Sequence, residues 1–281
     1  MTATQTSQLN QTTTELRQLA LFWLSVTEPV AKADGVMQLH QAWLDDRYTL
    51  TPDAVLSSTI VIPGRPVRPL LVPPREVRQR AMHTVEGRAA LIHALAHIEF
   101  NAINLALDAI WRYPGMPRAY YVDWLLVAAE EALHFSLLTQ HLGSLGYAYG
   151  DFPAHGSLWE MAEKTQDDVL ARMALVPRTL EARGLDATPA VRAKLAQAGD
   201  ERAAAILDII LRDEIGHVAI GNHWYGCLCA ARGLEPLSCY AELAERYRAP
   251  PLRGPFNLEA RRQAGFTERE LSMLGSGIGA P

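Results

Sequence analysis

From residue 84 to residue 232 the chain is written mainly in long Ala/Leu/Ile-rich segments, and three of them carry a glutamate where another aliphatic residue belongs. At helical spacing the first apolar stripe is Ile92, Leu95, Ala96, Glu99, Ala102, Ile103, Ala106 and Ile110. The second is Trp124, Val127, Ala128, Glu131, His134, Phe135 and Leu138; another is Ala203, Leu207, Ile210, Leu211, Glu214, His217, Val218 and Gly221. Glu131 and His134 are three residues apart, as are Glu214 and His217, so each pair projects from one helix face. A carboxylate buried alone is costly and escapes by protonation or pairing. No Lys or Arg shares the inward face near these three glutamates. A multivalent cation satisfies several carboxylates at once. Carboxylate oxygen with imidazole nitrogen suits iron or manganese, and equally zinc.

The rest of the chain frames these helices. Residues 15–24 read as a short amphipathic helix, followed by a loop-rich stretch ending in VIPGRPVRPLLVPPRE at 61–76, where prolines forbid a long helix. The spacing predicts helices over 84–113, 117–142 and 157–183, the last with a kink or break at Pro177 and a stop at Gly184. A shorter helix over 188–198, with Pro189 near its first turn, leads into one over 200–232 that Gly233 ends. A last short helix is expected at 267–274. No stretch alternates apolar and polar residues long enough to build a sheet, so the expected class is all-α. The expected organisation is a disordered tail at 1–14, a wrapping segment at 15–80, a helical bundle at 81–232 and a C-terminal tail at 233–281 packed on it.

Composition excludes several classes of function. Hydrophobic residues make up 49% and charged residues 20%, which rules out wholesale disorder. The net charge of −5 argues against a dedicated nucleic-acid binder. No run of roughly 18 consecutive apolar residues marks a membrane span, and the polar first fourteen residues lack the pattern of a signal peptide. Three cysteines, Cys227, Cys229 and Cys239, cannot all pair and read as packing residues of a cytoplasmic protein.

Spacing sharpens the metal reading. Glu99 precedes Glu131 by 32 residues, and Glu181 precedes Glu214 by 33. The chain thus repeats one pattern twice: Glu, an interval of that length, then Glu-x-x-His. At this point it resembles the ferritin-like di-iron carboxylate proteins, in which two helices give one Glu each and two give Glu-x-x-His. Glu99, Glu131, His134, Glu181, Glu214 and His217 match that pattern position by position. The segments AHIEFNAINLALDAIWRY, EEALHFSLL, PRTLEARGLD and RDEIGHVAIGNHWY look like an uncharacterised bacterial branch of that superfamily, a domain of unknown function. The pattern departs from regularity at Pro177, beside Glu181.

The resemblance implies a ferritin-like four-helix bundle binding two iron ions, or manganese and iron, with zinc as a possible occupant after purification. It implies an oxidase or hydroxylase that uses O2 on a small organic substrate with electrons from a separate donor. A tRNA substrate stays open by analogy with a tRNA-modifying hydroxylase of the superfamily. Two other readings stand beside it: iron sequestration or peroxide detoxification, and a redox-inert metal-stabilised scaffold. A further polar stripe, Glu86, His93, His97, Asn101, Asn104 and Asp108, reads as a face of interhelical hydrogen bonds rather than a second site.

Overall fold

The computed structural model describes residues 14–77 and 80–275, and the expected tail at 1–14 lies outside them except for Thr14. All regular structure among the described residues is helical, with isolated bridges at Glu15–Thr49 and Leu71–Ala154. The elements are α1 (Leu16–Ser25), α2 (Pro29–Leu44), α3 (Val85–Arg112), α4 (Arg118–Ser144), α5 (Ser157–Lys164), α6 (Val169–Leu175), a π-helical turn (Val176–Glu181), α7 (Ala182–Gln197), α8 (Glu201–Arg232), α9 (Pro236–Arg246), α10 (Leu258–Gln263) and α11 (Glu268–Gly275). The chain divides into two compact units that alternate along the sequence. The first holds the chain to Leu70, His93–Gln140 and Ala148–Pro153; the second holds Leu71–Ile92, His141–Tyr147 and the chain from Ala154.

In the first unit α1 packs on α2. Helix α2 lies where loops were expected from sequence. Glu28 caps its start by accepting from the Val30 and Ala31 amides, with Pro29 in the first turn. Gly35 lowers the helix signal of the segment, but a Cβ there would lie 2.0 Å from the Trp23 ring, so close packing requires glycine. Arg17 is fully buried, and its guanidinium donates to the carbonyls of Ile110, Trp111, Thr51, Pro52 and Ala54. Ile110 and Trp111 sit in the last turn of α3, where carbonyls lack helical partners.

Lys32 is buried as well. It donates to the Leu24 and Gly64 carbonyls and to Asn104 Oδ1, and its ammonium lies 4.9 Å from the Phe100 ring centre. Burial, reinforced by the charge of Arg65, pulls its pKa down to about 7.

In the second unit α7 packs along α8. A core of Ala182, Leu185, Val218, Ala260, Phe266 and Leu274 joins them to the C-terminal helices. The expected helix 157–183 is instead three pieces. The helix is interrupted at 165–168, where Asp168 caps α6 through the Leu170 amide, and Pro177 opens the π turn. Proline has no N–H to donate and crowds the carbonyl four residues back. The Thr179 hydroxyl of this turn donates back to the Ala174 carbonyl of α6 at 2.7 Å.

Helix α7 then runs through Gly184 and keeps Pro189 inside it, against the expected stop and restart. Burial of Ala182 and Leu185 against the core outweighs the poor propensity of the intervening glycine. Asp200 caps α8, and Gly233 ends it with φ 65°. Helix α11 falls where a last helix was expected; α9 and α10 were not anticipated.

Candidate metal centre

The site is built first from the parts of α3 and α4 that lie in the first unit. Apolar neighbours on both stripes, among them Ala96, Ile103, Phe135 and Leu138, are buried and carry their glutamates inward with them. Glu99 is 4% exposed, and Glu131 and His134 are fully enclosed. His134 Nδ1 lies 3.4 Å from Glu99 Oε2 and 3.5 Å from Glu131 Oε2. These three residues each offer a donor atom, all within 4.8 Å of one another, and form a buried group that could hold a metal ion.

The donor set fits such an ion. Two ligand atoms bound to one cation at about 2.1 Å come to lie roughly 3 Å apart, close to the separations found here. Burial raises the Glu99 carboxyl well above the ordinary carboxylate range, the Glu131 charge raises it further, and His134 opposes both. A cation among the three would relieve the desolvation that dominates this shift.

The remaining expected ligands belong to the second unit. Glu214 and His217 are buried on α8, with Glu214 Oε1 3.7 Å from His217 Nδ1, as the three-residue spacing requires. Glu181 is half-buried and closes the π turn, directly before α7. That turn packs on α8, where a Cβ on Gly221 would come within 2.5 Å of Pro177. Gly221, one turn beyond His217, is therefore the residue that lets the proline-opened turn approach the helix. Sequence stripes place Gly221 on the inward face but give no sign of what meets it.

The neighbouring polar groups take other roles. Asp208 pairs with Arg192 at 2.8 Å, and Asp213 with Arg212 at 2.8 Å. The polar stripe of α3 is a hydrogen-bonded face, but apart from Asn104 with Lys32 of α2 the bonds described run to the loop at 149–150 or within α3 rather than between helices. His97 Nδ1 meets the Tyr149 hydroxyl at 2.7 Å, Asn101 donates to His97 Nε2 at 3.1 Å, and the Gly150 amide donates to His93 Nε2 at 2.9 Å. Trp111, Tyr120, Tyr121 and Trp124 are buried core residues. Cys229 and Cys239 are buried thiols, whereas Cys227 is exposed and does not pack in the core.

His93 gives a pH dependence whose sign is fixed by its contacts. Its ring must be neutral to accept from Gly150, and burial pulls its pKa from 6.5 to about 4 although Asp151 pushes the other way. The unfolded chain takes up this proton near pH 6.5 and the folded one near pH 4. Stability from this group is thus complete above pH 6.5 and is lost as pH falls towards 4, by about 3 kcal/mol in all. Urea unfolding at pH 7, 5.5 and 4.5 should show the loss in the wild type and a flatter profile in His93→Leu. Parallel profiles would refute the assignment.

Together these observations define an all-helical protein with a buried carboxylate–imidazole group. The chain belongs to the family described as "Protein of unknown function (DUF455)", whose model matches residues 25–272. It is 56% identical over 216 residues to a Haemophilus influenzae protein called only "Uncharacterized protein", a match covering 74% of this chain and 75% of the relative. No solved structure matches. Helix α3 is long and apolar enough to cross a membrane by length and composition, yet 72% of its most apolar window is buried inside the protein, as in a core helix.

Proposed function

We propose that this chain is a ferritin-like dinuclear-metal protein that uses O2 to oxidise or hydroxylate an organic substrate. The buried group of Glu99, Glu131 and His134 carries the reading, because two enclosed carboxylates beside an imidazole call for a cation. The second Glu-x-x-His, at Glu214 and His217, supports a second ligand cluster of the same kind. In the proposed ligand set Glu214 joins Glu99, Glu131 and His134, and Glu181 and His217 complete it. The metals are two iron ions, or manganese and iron.

Bound in this way, the pair would supply the electron transfer with O2 that side chains alone cannot provide. The chain's own residues do the rest. Glu99 and Glu131 offset the ionic charge, and His134 contributes a neutral nitrogen donor. Phe135, Leu138 and Ile103 keep water from the ligands. A substrate and a separate electron donor are the partners this chemistry needs.

Ferrous-loaded protein is expected to consume O2, and Glu131→Ala to lose both bound iron, by elemental analysis, and O2 uptake. Sizing should give a monomer or small oligomer. A large hollow shell would favour iron storage, and bound metal inert to O2 would favour a scaffold; either result rejects the oxidase reading.

A further inference from the structure

The second unit contains a small pocket, partly open to solvent, lined by two buried arginines within apolar walls. Arg178 comes from the π turn and Arg261 from α10; they are 8% and 0% exposed. Each is only partly engaged. Arg178 donates Nη1 to Asn222 Oδ1 at 2.7 Å and Nη2 to Glu270, while its Nε has no hydrogen-bond acceptor. Arg261 binds Asp186 through Nε and Nη2 at 3.0 and 2.6 Å and leaves Nη1 without one. The Phe266 ring lies about 5 Å from both guanidinium carbons, at 4.9 and 5.0 Å. Leu237, Leu252 and Leu274 complete the apolar lining.

Buried donors with no acceptor are costly and mark a place where an acceptor belongs. Glu270 already brings one carboxylate to this place from the first turn of α11. Its other oxygen accepts from the Thr267 amide and hydroxyl at 2.7 and 2.8 Å, so the same carboxylate also caps the helix. An incoming carboxylate must therefore compete with Glu270 for Arg178 and turn it out of the pocket towards the exposed Thr267 side.

We propose that this cavity binds a small organic monocarboxylate, whose carboxylate takes the place of Glu270 on Arg178 and whose apolar body lies against Phe266, Leu237 and Leu252. Charge selects the class. Arg178 with Glu270 and Arg261 with Asp186 are two neutral pairs, so a monoanion exchanged for Glu270 keeps the buried site neutral. A dianion such as phosphate would not. Arg178 Nη2, released by Glu270, and Nε, already without an acceptor, together match the planar, two-oxygen geometry of a carboxylate.

Calorimetry with benzoate and its uncharged isostere benzamide tests the assignment. Benzoate is expected to bind and benzamide not. Glu270→Gln, which weakens the internal competitor, should tighten benzoate about tenfold by raising the competent fraction. Leu252→Trp, which fills the apolar wall, should abolish binding while the circular dichroism of the protein is unchanged. Equal binding of the amide, or an affinity unmoved by Glu270→Gln, would overturn the proposal. Titrations of metal-stripped and metal-loaded protein keep this outcome separate from the metal reading.

Discussion

Arg17→Met is expected to destabilise the protein by about 4 kcal/mol, because it takes away the donors of a buried charge and leaves its acceptors inside. Arg17 reaches the Ile110 and Trp111 carbonyls at 3.2 and 2.7 Å and the Pro52 and Ala54 carbonyls at 2.8 and 2.5 Å. The first two lie at the negative end of the α3 dipole, where a cation is favoured. The others belong to the segment that follows α2. One side chain therefore ties α1, the end of α3 and that segment together within the first unit. The guanidinium also lies 5.4 Å from the Tyr121 ring centre. In a chain of this size the loss corresponds to a fall of roughly 10 °C in unfolding temperature. Arg17→Lys should recover only part of it, since one ammonium cannot span acceptors arranged around a planar fork. Thermal and urea unfolding of both variants measure the effect; a loss under 1 kcal/mol for Arg17→Met would mean that water replaces the guanidinium at little cost.

Arg17 also shows where sequence reading stops. Its neighbours Leu16, Leu19 and Ala20 announce an amphipathic helix, and that helix is present, but an arginine on it reads as solvent-facing. Only the converging carbonyls of α3 and of residues 51–54 explain its burial, and these contacts span 34–94 positions in sequence. Lys32 and Arg261 were hidden for the same reason. The glutamates were legible because they break an apolar rhythm locally, three residues from a histidine. Helix α2 was obscured by Gly35, whose reason is the Trp23 ring. The break at Pro177 could be foreseen from proline chemistry, whereas the π turn depends on Thr179 and on the close approach of Gly221, which no local pattern records. Gly184 and Pro189 pointed to a helix end that burial of Leu185 overrides.

Glu99→Leu separates a functional carboxylate from a structural one, because the two roles predict opposite signs. If Glu99 is held in its apolar stripe for the sake of a cation, the metal-free protein carries a desolvation cost at this position that His134 offsets only in part. Its carboxyl is raised well above the ordinary range by burial first and by Glu131 second. Leucine restores the rhythm set by Ile92, Ala96 and Ile103 and removes both penalties, so the metal-free variant is expected to gain about 2 kcal/mol, or roughly 4–8 °C. The same substitution removes one anionic donor from the group with Glu131 and His134. Saturating ferrous or manganous ion stabilises a site by about 4 kcal/mol when the ion is present at a thousand times its dissociation constant, and Glu99→Leu should lose most of that increment. Thermal unfolding of wild type and variant, each with and without the ion, gives both signs in one experiment. A variant less stable than the wild type without metal would show that Glu99 supports the fold through protein contacts alone. Undiminished stabilisation by the ion would place the metal elsewhere.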